Sequence, residues 1–522
     1  MSPNQNYTLH TVEQADNLIR FFDSQDIESD NIPARKIFHS ILKRAETVTV
    51  LQSQEPPPVI HERFKQECDM YRQDPDDRQA RLFHLFGGQY DSFEEITENN
   101  PDYFGYCLLR PDATISHAFL SERVIIREND TYAYLVCKTT RSISVTSDYT
   151  VTITGFPYIE KDHKGIMCAQ ASLGSVLEFW DDCDRKLSPS ITTASGINET
   201  LGIPPEEFET GRGLSLSEMS DFLEQEQIPH DFQHFYKYTE DAIRRLRPET
   251  NIYGYMDSKF PVTAIVKTFG DLHALTLIGH TFDRHDWLAM ADQHYYYRPL
   301  SGDGKYHSNL TWIRNFMTQD DNFGMYFFLP WKKLSEILLA YIVPLPDKSI
   351  RITPLTAERL AYHGLVGLLE SYSSLIKDET FHDLNLHWAE LFLEYARRRE
   401  LVLRPFYLSR EVLLEQYQGH DFYQNLSDLL NGRDQEWYAV IEVSWPDLYC
   451  YQRLNIATVV IDPFKQHNDN QVHYEDFPFF HLPGLGLFTR RSQAGEPNPD
   501  YQIATHPDPP TFHNVPSGQH IS

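Results

Sequence analysis

Alternation of apolar and polar positions marks the first strands of this chain. Tyr149-Thr150-Val151-Thr152-Ile153-Thr154 alternates throughout, and Tyr132-Ala133-Tyr134-Leu135-Val136-Cys137 is rich in aromatic and aliphatic side chains. Both predict strands, because a pleated ribbon sends successive side chains to opposite faces. The grammar changes after Gly155-Phe156-Pro157-Tyr158. Leu173, Val176, Leu177 and Trp180 fall at helical spacing and predict a helix from Cys168 to Trp180. A second helix is expected over Gly213–Leu223, with Ser215 or Ser217 as its cap. Pro261–Val266 and His273–Ile278 read as two strands joined by a short loop holding Gly270. A third strand is expected from Asn315 to Asp320, leading into Asp321-Asn322-Phe323-Gly324.

The flanks read differently. Residues 11–50 suggest amphipathic helix, Pro56-Pro57-Pro58 a stiff break, and residues 60–100 a charged, partly helical stretch. Further on, Thr380–Arg399 reads as helix, and Trp437–Val443 and Ile456–Ile461 as strands. The expectation is a multidomain α+β protein. A helical then β-rich region covers 1–150, a central unit 151–332, a C-terminal α/β unit 333–490, and a disordered tail 491–522 rich in Pro, Gly, Asn and Ser.

Composition narrows the function. A chain of 522 residues exceeds one comfortable domain. Its formal net charge of −29 argues against nucleic acid and anionic membrane surfaces, which need clustered Lys and Arg. No apolar run is long enough to span a bilayer, and the polar start Met1–Asn6 lacks a secretory pattern. A cytoplasmic location is expected, with the six cysteines reduced. None lies in a CxxC pair. The segment Asp283–Thr311 carries His285, Asp286, Asp292 and His294 without metal-ligand spacing, so neither metal nor cofactor is expected. Its Tyr295-Tyr296-Tyr297 run suggests a lid or a partner surface.

One constellation points to chemistry. Cys168 stands at the first turn of its helix, where free amides and the helix dipole favour a thiolate. His273 heads an alternating strand beside the Gly270-Asp271 turn and can take the thiol proton. Asp320, at the end of the third strand, can orient the imidazole. Asp321 and Asn322 compete for that role, since the register of a strand end is not set by the pattern. Each residue alone has a bland reading: a lone cysteine is usually a buried hydrophobe, and a histidine at a strand end usually just satisfies a hydrogen bond. His280 should face away from His273. Asp383 with His387, and Glu442 with Asp447, read as surface side chains of an acidic chain.

The order of these parts resembles the papain-like cysteine peptidases, and within them the bacterial branch typified by bacteriocin-leader peptidases. The resemblance rests on Cys168 opening a helix, on His273-Ala274-Leu275-Thr276-Leu277-Ile278-Gly279, and on Asp320 in a turn ending at Gly324. It covers only the central unit. It implies a helix carrying the cysteine packed on an antiparallel sheet carrying His273 and Asp320, and a bacterial source. The implied activity is a cysteine protease or isopeptidase-type hydrolase working on a peptide or protein through a thioester. The same triad serves deamidases and transglutaminases, and a degenerate copy serves as a protein-binding scaffold. The flanking units would then select a protein substrate or partner. One departure stands out. Such enzymes carry an upstream Gln that helps bind the oxyanion, but Asp162 occupies that offset and no Gln lies between Pro157 and Met167. Gln170, His163 or Lys161 would have to donate instead.

Overall fold

Strand pairing begins locally and ends far away in sequence. In the computed structural model, residues 7–12, 47–53, 80–161, 167–282, 306–375, 387–464, 477–489 and 501–505 are described, with short breaks inside these ranges. Strands β1 (Tyr7–Val12), β2 (Val48–Ser53), β3 (Arg81–Gly87), β4 (Tyr103–Leu109), β5 (Ile115–Ser121), β7 (Thr139–Thr146) and β8 (Tyr149–Tyr158) form the first sheet. Their spatial order is β1-β2-β3-β4-β5-β8-β7. The helix expected over 11–50 lies mostly outside the described residues, and its last residues belong to β2. Within 60–100, helix α1 (Phe93–Asn99) is preceded by β3. That strand escapes a period-two reading because Leu82, Phe83, Leu85 and Phe86 are buried on both faces.

The central sheet runs β14-β13-β11-β10-β15-β9, with β6 (Tyr132–Leu135) pairing β11. Here β9 is His230–His234, β10 Val262–Lys267, β11 Leu272–Phe282, β13 Asn315–Asp320, β14 Gly324–Pro330 and β15 Leu338–Pro344. The ladders cross the expected divisions at 150 and 332. β6 comes from the N-terminal region and β15 from beyond 332, yet both join this sheet, while β12 (Tyr306–Ser308) leaves it. Local pattern identifies a strand but not a partner more than a hundred residues away. Gly279 permits one such pairing: a Cβ there would stand 2.2 Å from the carbonyl oxygen of Tyr134 on β6.

The third sheet is β12-β16-β17-β18-β19-β20-β21, antiparallel except where β12 meets β16 (Leu401–Ser409). It includes β17 (Trp437–Ser444), β18 (Ala457–Ile461), β19 (Phe479–Leu482), β20 (Leu485–Thr489) and β21 (Tyr501–Thr505). The tail expected to be disordered therefore contains a strand, Tyr501–Thr505, paired with Leu485–Thr489. Its Tyr-Gln-Ile-Ala-Thr pattern is strand-like, but five residues are swamped by Pro- and Gly-rich flanks. One continuous buried cluster joins the sheets, from Val50 and Phe83 through Tyr255 and Leu277 to Leu403 and Phe480. The protein is mixed α+β, with largely antiparallel sheets. Among the described residues no helix is long and apolar enough to cross a membrane.

Candidate active site

Helix α2 (Cys168–Trp180) buries Leu173, Val176, Leu177, Phe179 and Trp180. Each such side chain contributes roughly 1.5–3 kcal/mol relative to exposure. Leu173 and Leu177 pack with Ala274 of β11 and with Met219, Phe222 and Leu223 of a second helix, Leu216–Gln225. That helix is capped by Ser215, whose hydroxyl accepts from the Glu218 amide while the Glu218 carboxylate accepts from Ser215 N at 2.7 Å. A polar tie fixes α2 against β11: the Thr276 hydroxyl lies 3.1 Å from Ser172 Oγ and 3.3 Å from its carbonyl oxygen.

The far end of α2 is tied to the first sheet. Arg141 of β7 pairs with Glu178 at 2.8 Å and with Asp182 at 2.7 Å, and His117 of β5 meets Glu178 at 2.7 Å. A cation at a helix C-terminus offsets the partial negative charge there. Burial pushes the Asp182 carboxyl up to about 6, against the opposing pull of Arg141.

These constraints set the first residue of α2 beside the first turn-side residues of β11. Cys168 is partly exposed, and Met167 before it makes no side-chain cap. His273 is buried and shares a cavity wall with Cys168, whose thiol is one of the groups that raise the imidazole. From the other side come the residues after β13. His273 Nε2 lies 3.3 Å from Asp320 Oδ1 and 3.4 Å from Asp321 Oδ1. Asp320 Oδ1 also accepts the backbone amides of Asn322 at 2.7 Å and Phe323 at 3.1 Å, which fixes the carboxylate in a tight turn. Gly324, with φ of 93°, closes that turn in a conformation only glycine adopts freely. The Tyr158 hydroxyl donates to the Asp320 carbonyl at 3.2 Å.

The electrostatics favour an imidazolium. Burial opposes charge on His273, but hydrogen bonds to Asp320 and Cys168 and the charges of Asp320 and Asp321 outweigh it, raising the group to about 10. Burial raises Asp321, against the pull of His273 and Lys161. Burial lifts the Cys107 thiol to about 12 and lifts that of Cys137 as well.

Cys168 and His273 open into a cavity of about 520 Å³, whose wall also includes Lys161, Leu214, Met219 and Asn322. The structure brings Asp320, Asp321 and Asn322 all within reach of His273. Asn322 Nδ2 is 3.2 Å from Nε2 and 3.4 Å from Nδ1. Gln170 is placed elsewhere: its amide is buried, with Nε2 3.4 Å from Asn198 Oδ1, and it is not in the cavity wall. Helical geometry explains this, since two positions along a helix turn the side chain to the opposite flank. His163 lies outside the described residues, as do residues 283–305, Asp383 and Asp447. Glu442 is not a surface carboxylate but a buried partner of Arg404 at 2.8 Å. Gly213, Leu214 and Met219 were not foreseen as cavity residues; the Ser215-to-Glu218 capping box was the signal that the loop before it had a fixed place.

His273, Asp320 and Asp321 offer ligand atoms within 4.8 Å of one another, a geometry that could hold a metal ion. Two backbone amides already occupy Asp320 Oδ1, whereas Asp321 has no hydrogen bond of normal geometry on either carboxylate oxygen and has the Lys161 ammonium 3.6 Å from Oδ2. Compared with known proteins, the chain matches no family model, no curated protein and no solved structure.

Proposed function

We propose that this chain is a papain-like cysteine hydrolase acting on an amide or isopeptide bond of a peptide or protein. Cys168 Sγ adds to the carbonyl carbon, and the amine leaves with the proton returned by His273. Water, deprotonated by the same imidazole, then breaks the thioester and restores the thiol. Asp320 orients the ring. No cofactor enters this chemistry. The observation that carries the reading is a single buried imidazole shared by a thiol at a helix start and a carboxylate in a fixed turn. Nε2 faces Asp320 Oδ1 at 3.3 Å, and the same ring lines the cavity wall with Cys168. The packing of α2 on an antiparallel sheet supports the papain-like assignment. The flanking regions then serve to select a protein substrate.

A second reading is favoured by one specific feature. With Gln170 turned toward Asn198, no side-chain amide of α2 serves an oxyanion, as suits a non-catalytic scaffold. An oxyanion donor contributes about 2.7–4 kcal/mol to catalysis. Incubation with a peptide library, followed by product mass analysis, separates the readings. Hydrolysis adds water across a bond, deamidation converts an amide to an acid, and transglutamination joins an amine. Each should vanish in Cys168→Ala. No product of any class, with Cys168 inert to a peptidyl vinyl sulfone, would leave the scaffold.

A further inference from the structure

We propose that Lys161 is a positioning residue that holds Asn322 with its amide nitrogen, rather than its oxygen, against the His273 ring, and so checks how firmly the ring keeps its second proton. The proposal rests on the Cys168–His273 reading of the site. Lys161 follows β8 and reaches into the cavity wall, where its Nζ stands 2.6 Å from Asn322 Oδ1. An ammonium has donors and no acceptor, so the atom it meets must be the amide oxygen. That fixes the orientation of the amide by chemistry. The other end, Nδ2, is then the atom 3.2 and 3.4 Å from the two ring nitrogens.

An amide N–H donor is favourable beside a ring nitrogen with a free lone pair. Beside an imidazolium, whose nitrogens both donate, it is unfavourable. Lys161 also stands 3.6 Å from Asp321 Oδ2. Asp321 is buried, and neither of its carboxylate oxygens receives a hydrogen bond meeting normal geometry. Lys161 therefore supplies a second positive charge beside Asp321, after His273 itself, and offsets part of its pull on the ring. Among the described residues, the charged and titratable groups facing His273 are Cys168 from α2 and Asp320 and Asp321 from the turn after β13. Lys161 acts behind that turn. On β10, Val266 lies opposite His273, with the exposed Lys267 beside it. Two carboxylates thus pull the ring toward the cation, and the Lys161–Asn322 pair opposes them. A base that never gave up its proton could not activate water, which gives this opposition a use in turnover.

The test is the pH dependence of Cys168 alkylation by iodoacetamide in the full chain, read by peptide mass. Wild type, His273→Ala, Lys161→Met, Lys161→Arg and Asn322→Ala are compared. The alkaline inflection that disappears in His273→Ala reports proton loss from the imidazole. It should rise by about one pH unit in Lys161→Met, the scale expected for removing one nearby charge. It should also rise in Asn322→Ala and stay near wild type in Lys161→Arg, since a guanidinium likewise only donates. A merely structural lysine would leave the inflection in place in folded Lys161→Met, and that result, or a fall, overturns the proposal. If Lys161→Met does not fold, an unmoved inflection in Asn322→Ala overturns it equally. A wild-type profile indifferent to His273→Ala would overturn the site reading itself and this proposal with it.

Discussion

Strand β11 carries two buried histidine–carboxylate pairs with nearly the same spacing. His273 Nε2 lies 3.3 Å from Asp320, and His280 Nε2 lies 3.4 Å from Asp257. Their surroundings separate them. Asp257 is also bound by Arg404 at 2.6 Å; burial disfavours its charge, but Arg404 and His280 together hold the carboxyl below its usual range. The His280 ring packs between Tyr134 and Tyr253, and its Nδ1 faces the Thr281 carbonyl oxygen at 3.2 Å. That pair is committed to joining β11, helix Pro248–Asp257 and β16. The His273 pair instead meets a thiol and a cavity, and its carboxylate is held by backbone amides rather than by an arginine. A histidine–carboxylate pair is a structural joint when every acceptor is consumed. It becomes available for chemistry when one ring nitrogen faces a nucleophile at an open wall.

The sharpest way to break this comparison is to remove the imidazole from one pair and the arginine from the other. His273→Ala should lower any Cys168-dependent turnover by about 10²–10⁴-fold, the range for a positioned acid–base group, as measured on the library substrate that wild type consumes. Arg404→Met should do the reverse. It leaves Asp257 and Glu442 as buried charges without their cation and should cost about 3–5 kcal/mol in a urea titration. The alkylation profile of Cys168 in the folded variant should not change. Were Arg404→Met to alter that profile, the two pairs would not be independent.

Gly279, between the two histidines, is the next lever. Gly279→Ala forces a Cβ against the Tyr134 carbonyl and should destabilise by about 1–3 kcal/mol in the same titration. Ser215→Ala removes the capping box beside the cavity and should cost about 1 kcal/mol. The last prediction concerns pH and stability. His273 is raised in the folded protein from 6.5 to about 10, so between these values the folded state holds more protons than the unfolded. The stability it confers is fully present below pH 6.5 and is lost as pH rises toward 10. The stability gap between wild type and His273→Ala should therefore shrink across that window, and a gap that widens would contradict the assigned imidazolium.

Much of the site was legible because its parts sit where local pattern is strongest. The Leu173, Val176, Leu177, Trp180 stripe marked the helix whose first residue is Cys168, and β13 spans Asn315–Asp320, the bounds expected for the third strand. The competition among Asp320, Asp321 and Asn322 was real, since all three lie within reach of one ring. What stayed hidden was long-range. Nothing near Tyr132 announces that β6 will pair with β11, and nothing near Leu338 announces that β15 will lie beside β10. Gly279 hinted at a close approach without naming what approaches. The burial of Glu442 was equally hidden, because its arginine partner lies on the next strand.

The most direct test of the central claim compares Cys168 with Cys183, an exposed cysteine just beyond the same helix. Alkylation rates of both, read by peptide mass below the ordinary cysteine value of about 8.5, should show Cys168 reacting faster despite its lower exposure. That advantage should disappear in His273→Ala. If Cys168 reacts no faster than Cys183, and His273→Ala changes nothing, the thiol and imidazole are neighbours without being a nucleophilic pair.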